Sequence, residues 1–269
     1  MTSIKSNNLV KTTINSDGIF SIRLNNAENQ NVLSVNMMSR IQSELDESLS
    51  NNKIRVIIIS AEGDIFSAGH DLKELKDGRN NSDKGKTFFK EVMTQCSKMM
   101  QSIVNNPKPV IAEVGGIATA AGCQLVASCD LAYASSSAKF ATPGVNIGLF
   151  CSTPMVALTR NVSKKHSMEM LLNGDLITSK KAAEIGLINE VVNDNILKKF
   201  VLEKASKISK KSALTLKIGK EAFYKQAEMT LSEAYDYASS VMVKNMLNYD
   251  AEEGIEAFIS RRKPNWQDK

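Results

Sequence analysis

Over the first two hundred positions, short β-branched apolar runs alternate with stretches whose apolar residues recur at helical spacing. The runs predict strands over residues 9–14, 19–24, 55–60, 109–114 and 131–134, with a late one at 188–192. Behind Ser34, a residue type that caps helices, Met38, Ile41, Leu45 and Leu49 mark one helical face. A longer helix is predicted over 87–104. Beyond residue 194 the pattern is wholly helical, with segments at 196–208, 213–224, 231–247 and 252–261. Strands alternating with helices imply an α/β core with largely parallel pairing over residues 1–193, then a helical C-terminal part over 194–269. No Pro- or Gly-rich linker and no internal repeat divides the chain, and residues 77–86 read as an exposed polar loop.

Composition narrows the class. The 269 residues are 42% hydrophobic and 23% charged, enough for a sizeable core and too apolar for a disordered chain. No apolar run approaches eighteen residues, which excludes a membrane-spanning helix. Residues 1–8 carry neither a secretory nor a transit-peptide pattern, so the expected compartment is the cytosol. Cys96, Cys123, Cys129 and Cys151 form no CxxC pair and read as reduced thiols. With His70 and His166 they match no zinc spacing, and no metal site is expected. The net charge of +5 leans towards anionic partners. Its lysine clusters, at 164–165 and 198–211, read as solvated helix faces, which ranks a nucleic-acid partner low. Met93, Met99, Met100, Met168 and Met170 read as core filler.

Several common motifs fail. Six residues separate Gly78 from the Gly85-Lys86-Thr87 run where a phosphate-binding loop needs four, and no GxGxxG, GxSxG or HExxH occurs. Two segments remain that place small residues where backbone must approach something closely. The first is Phe66-Ser-Ala-Gly-His-Asp-Leu72, in which Asp71 stands three residues before Glu74 in capping-box spacing and predicts a helix start. The second runs from Gly115 to Asp130, where a glycine pair turns the chain into a small-residue helix opening. Two such openings converging would aim free N–H groups at one carbonyl oxygen, an oxyanion hole. Tight packing of small residues is the competing explanation.

These segments are identified as part of a wider resemblance to the crotonase (enoyl-CoA hydratase/isomerase) superfamily, running from Gly18 to Trp266. Further matching stretches are Ala121–Leu125, Phe140–Leu149, Gly174–Leu187 and Glu253–Pro264. One branch of that family is similar at His70, Gln124, Phe150-Cys-Ser-Thr-Pro154 and Phe223-Tyr-Lys225. The resemblance implies a ClpP-like spiral of ββα units whose helical C-terminal part drives assembly into a homotrimer or a dimer of trimers. It implies no permanently bound cofactor, a coenzyme A thioester as substrate or ligand, and no membrane partner. Its oxyanion donors fall on the N–H groups of Ala68 and Ala121. Its CoA contacts fall on Ala68, His70, Asp71, Leu72, Phe258 and Lys263.

The same resemblance exposes a departure. Hydratases of the family use two glutamates, and the matching positions here are Gln124 and Gly144. An amide moves no proton at neutral pH, and one positioned acid/base group is worth about 10²–10⁴ in rate. Three replacements stand open: His70 as a base or as a wall of the acyl pocket; Cys151 as a nucleophile or a packed thiol; and a gap at Gly144 holding water or bicarbonate oriented by Gln124. Asp130 reads as a structural cap. The expected function is thioester-enolate stabilisation without standard hydration, the alternative a non-catalytic acyl-CoA-binding protein. RNA binding through 198–211 ranks last.

Overall fold

A computed structural model describes residues 9–269. A six-stranded sheet orders as β1-β2-β3-β5-β7-β10: β1 (Val10–Ile14), β2 (Ile19–Leu24), β3 (Val56–Ala61), β5 (Val110–Val114), β7 (Leu131–Ser135) and β10 (Glu190–Val192). Only the β1–β2 pair is antiparallel. All six predicted strands are present, to within two residues at each end.

A second, four-stranded sheet was not read from the sequence. It contains β4 (Ile65–Ser67), β6 (Ile117–Thr119), β8 (Lys139–Ala141) and β9 (Ile177–Thr178), in the order β4-β6-β8-β9. Strands this short carry no measurable alternation. The chain repeats one step: a strand in the large sheet, a strand in the small sheet, then helix. Thus β3 and β4 lead to α2 (Leu72–Gly78) and α3 (Lys86–Val104), and β5 and β6 lead to α4 (Ala121–Ser128). Next, β7 and β8 lead through a 3-10 turn to α5 (Pro154–Leu158) and α6 (Lys164–Asn173). This is the ββα spiral.

The helix α1 (Val35–Ser50) starts where Ser34 Oγ accepts the Met37 N–H at 3.1 Å. It buries Met38, Ile41 and Leu45, whereas Leu49 is half-exposed. With α3 and α4 it covers one face of the large sheet in a continuous core. Met99, Met100 and Met170 are buried, but Met168 is 49% exposed, which corrects its reading as core filler. All four cysteines are buried and free.

After α7 (Ser179–Glu184), α8 (Leu197–Ser209) closes the opposite face of the large sheet with Leu197, Val201 and Ala205. It is therefore a layer of the core. The hairpin of α9 (Ala213–Gln226) and α10 (Leu231–Met246) contains no fully buried residue and leaves Phe223, Tyr235, Met242 and Met246 exposed. One ion pair ties α9 to the core. Asp130 accepts from Lys220 Nζ at 2.7 Å, Tyr224 Oη at 2.8 Å and the Val110 N–H at 2.7 Å, which makes it a structural clamp. Last, α11 (Tyr249–Ile259) is held by the chain end, where the N–H groups of Gln267 and Asp268 donate to the buried Asp250 carboxylate.

Candidate active site

In the small sheet β4 and β6 lie side by side in parallel, with Ser67 opposite Ala118, so the turns after them emerge at the same sheet end. Thr119 Oγ1 donates to the Ala68 carbonyl at 3.2 Å. The turns meet so closely that glycine is required. Gly69 has φ +89°, and a Cβ there would lie 2.9 Å from the Ala120 methyl and 3.1 Å from the Ala121 nitrogen. A Cβ on Gly122 would lie 2.3 Å from the Ser67 carbonyl oxygen.

Between these contacts Ala120 holds φ +49°, ψ −119°, a conformation that costs a non-glycine residue about 1–3 kcal/mol. Its surroundings over-determine it: its N–H donates to the Ala141 carbonyl at 2.9 Å, and its carbonyl accepts the Gln124 N–H at 3.0 Å. The turn delivers the start of α4 with open donors. Among the described residues, the N–H groups of Ala121, Gly122 and Cys123 meet no acceptor.

On the other turn, the Ala68 N–H donates to the Gln30 carbonyl at 3.1 Å. The expectation that Ala68 supplies an oxyanion donor is corrected on this ground, because that amide is already taken. Gly69 N–H donates to Ser67 Oγ at 3.3 Å. The next amide, His70, meets no acceptor among the described residues. Two open donors, His70 N–H and Ala121 N–H, thus flank the Gly69–Ala120 contact.

This placement depends on a residue that sequence reasoning missed. Asn31, fully buried at φ +48°, donates to the carbonyls of Glu62 at 2.9 Å and Ile65 at 2.7 Å. Its Oδ1 accepts the Asn26 N–H, and its carbonyl accepts Ser67 Oγ. The Leu33 N–H then donates to the Gly69 carbonyl at 2.7 Å. Its one sequence signal was an asparagine in a polar run, a residue type that tolerates positive φ.

Three buried side-chain atoms on these turns and on the segment after β8 meet no partner among the described residues: His70 Nε2, Gln124 Oε1 and Thr142 Oγ1. Gln124 and Thr142 are 5% and 1% exposed. Burial pushes the His70 imidazole below its usual 6.5, so it is neutral at pH 7. The neighbouring carboxylates are committed elsewhere. Asp71 caps α2 by accepting the N–H groups of Lys73 at 2.8 Å and Glu74 at 3.3 Å. Glu74 does not close a capping box; its Oε2 accepts the Val35 N–H at the start of α1, at 3.0 Å.

A depressed histidine pKa makes the unfolded chain the better proton acceptor, so the folded state loses stability as pH falls through the unfolded value near 6.5. Between pH 7.5 and 5, His70→Asn should therefore lose less stability than the parent chain. Parallel denaturation series at both pH values check this, and equal losses would contradict it.

At the second missing glutamate, a Cβ on Gly144 would lie 2.7 Å from the Leu149 carbonyl oxygen and 2.9 Å from Cys151 Sγ. The Gly144 N–H donates to that sulfur at 3.3 Å. The expected gap is therefore already filled in the direction a side chain would take. Burial pushes the Cys151 thiol up, and that of Cys123 to about 12, which holds both in the thiol form and works against a nucleophilic role. Phe258 is 86% exposed, and Arg262 is bound to Glu253 at 2.6 and 2.8 Å. Among the described residues no hydrogen bond or ion pair joins 258–263 to 66–72, so a single chain does not tie Phe258 and Lys263 to His70, Asp71 and Leu72. No described group of three or more His, Cys, Asp or Glu is arranged to hold a metal.

A ββα spiral with two open amides on adjoining turns at this sheet end defines a class. The chain belongs to the enoyl-CoA hydratase/isomerase family, whose model matches residues 14–269, and the spiral is the crotonase fold. Its particular likeness is to enoyl-CoA hydratase domain-containing protein 3: the mouse protein is 48% identical over 255 residues, 95% of this chain and 83% of the relative. The crystal structure of the human counterpart matches with TM-score 0.91 at 46% identity, over 96% of this chain and all of that one. An enoyl-CoA hydratase from Mycobacterium smegmatis matches with TM-score 0.91 at 38% identity, over 96% and 98%. One expectation falls. The mouse, rat and human relatives are all named mitochondrial, which overturns the cytosolic placement read from residues 1–8, a segment outside the described residues.

Proposed function

We propose that this chain binds acyl-CoA thioesters and polarises the thioester carbonyl between the amides of His70 and Ala121, stabilising an enolate. The observation that carries this reading is the pair of open N–H groups on two turns held in contact at Gly69 and Ala120. Such donors are worth most where charge develops away from water. The reaction is one other than standard hydration, because Gln124 and Gly144 stand where the family's resemblance places the two glutamates and the neighbouring Asp71 and Glu74 are engaged at helix starts. Crotonyl-CoA hydration should run at least about 10²–10⁴ slower than in a hydratase carrying both glutamates. A rate matching such an enzyme would overturn the assignment. Gln124→Glu is the restoring variant to assay beside it, since any side chain at 144 meets the Leu149 carbonyl.

A non-catalytic acyl-CoA-binding role is the second reading, favoured by the commitment of Asp71 and Glu74 to helix caps. Turnover of any thioester, lost in Ala121→Pro while the fold persists, decides against it. The exposed apolar face of α9 and α10 supports assembly of this chain into trimers or a dimer of trimers. In such an assembly Phe258 and Lys263 would meet CoA beside Asp71 and Leu72.

A further inference from the structure

We propose that the outer face of α8, with the turn that follows it, docks the protein on an anionic lipid bilayer. Residues 194–217 hold seven lysines against two carboxylates, a surplus of five that equals the net charge of the whole chain. The rest of the protein is therefore neutral on balance. Helical geometry gathers the surplus. At about 100° per residue, Lys199, Glu203, Lys207 and Lys210 fall within about 80° of one another, opposite Leu197, Val201 and Ala205, which pack on the sheet. Lys199, Lys207, Lys210 and Lys211 are exposed, and none of the four makes a side-chain hydrogen bond or ion pair among the described residues. Fewer carboxylates stand nearby: Glu203 on the stripe itself, Asp17, which accepts Ser206 Oγ at 2.8 Å, and Asp268, which is paired with Arg55.

What this face lacks selects its partner. A single-stranded nucleic acid needs exposed aromatic rings to stack on, and here the rings of Phe200 and Tyr133 lie under Lys204 Nζ, at 4.7 and 5.6 Å. Bidentate capture of a discrete phosphate uses arginine, and residues 194–217 contain none. Lysines suit a diffuse negative surface, where each is worth about fivefold in partitioning. Ile196, at the head of α8, is 51% exposed and offers an apolar side chain to the headgroup layer. The family resemblance implies no membrane partner; the charge distribution points the other way.

Flotation of the full chain with vesicles of phosphatidylcholine, alone or mixed with phosphatidylglycerol, tests this. Association should be about tenfold stronger with the anionic vesicles at low salt, and should weaken as salt rises to the physiological range. Lys199→Gln, Lys207→Gln and Lys210→Gln combined should lower it about tenfold. The pair Lys164→Gln and Lys165→Gln, equally exposed on α6, should change it little. Lys210→Gln with Lys211→Gln gives the same readout if the triple variant does not fold. Equal association with both kinds of vesicle overturns the proposal, as does an equal loss from the α6 pair, which would trace binding to net charge alone. Release from anionic vesicles by duplex DNA at matched charge concentration overturns it in favour of a nucleic-acid partner.

Discussion

Lys220→Ala is expected to cost about 3–5 kcal/mol of unfolding free energy, the range found when one partner of a buried ion pair is removed. The Lys220 and Asp130 side chains are only 8% and 16% exposed, and their charged atoms lie 2.7 Å apart. Lys220 Nζ also donates to the carbonyls of Ile103 at 3.0 Å and Lys108 at 3.1 Å. Alanine would leave the Asp130 carboxylate buried without its counter-charge and the Ile103 and Lys108 carbonyls without this donor. Burial already pushes that carboxyl up against the pull of the lysine, so the orphaned aspartate would take a proton more readily. Urea unfolding followed by circular dichroism measures the loss. Adding Asp130→Asn should return part of it, because the uncompensated charge goes. A loss below about 1 kcal/mol would place this pair with ordinary surface ion pairs.

Gly69→Ala is expected to strike fold and ligand recognition together. Its φ of +89° strains any L-side chain, and the new methyl would press on the Ala120 methyl, the Ala121 nitrogen and the Thr119 carbonyl oxygen. The stability cost should be about 1–3 kcal/mol. The functional effect is read as a difference. Butyryl-CoA affinity should fall towards that of CoA, which has no thioester carbonyl, while CoA affinity changes little. A variant that keeps the full preference for the thioester would show that the two amides do not grip its oxygen.

The large sheet was legible because five of its six strands run five or six residues, mostly apolar or β-branched, and the three-residue β10 ends a longer run that begins at Ile188. The small sheet was hidden because β4, β6 and β8 are three residues each and run into the turns that follow. Those hidden strands position the site. The second donor segment was readable from its run of small residues, and Asp71 from its capping spacing. The first open amide lies at His70, two residues beyond Ala68, because Gln30 takes the Ala68 amide across 38 positions, which sequence cannot show. Asn31 and Thr142 escaped notice for a similar reason. A buried polar residue declares itself only through partners distant along the chain, or through their absence.

The crowding at Gly144 closes this position to larger residues. With the Leu149 carbonyl and the Cys151 sulfur seated where a side chain would point, a single substitution cannot deliver a carboxylate to that spot without displacing main chain. A side chain at position 144 would first require the 149–151 segment to be rebuilt.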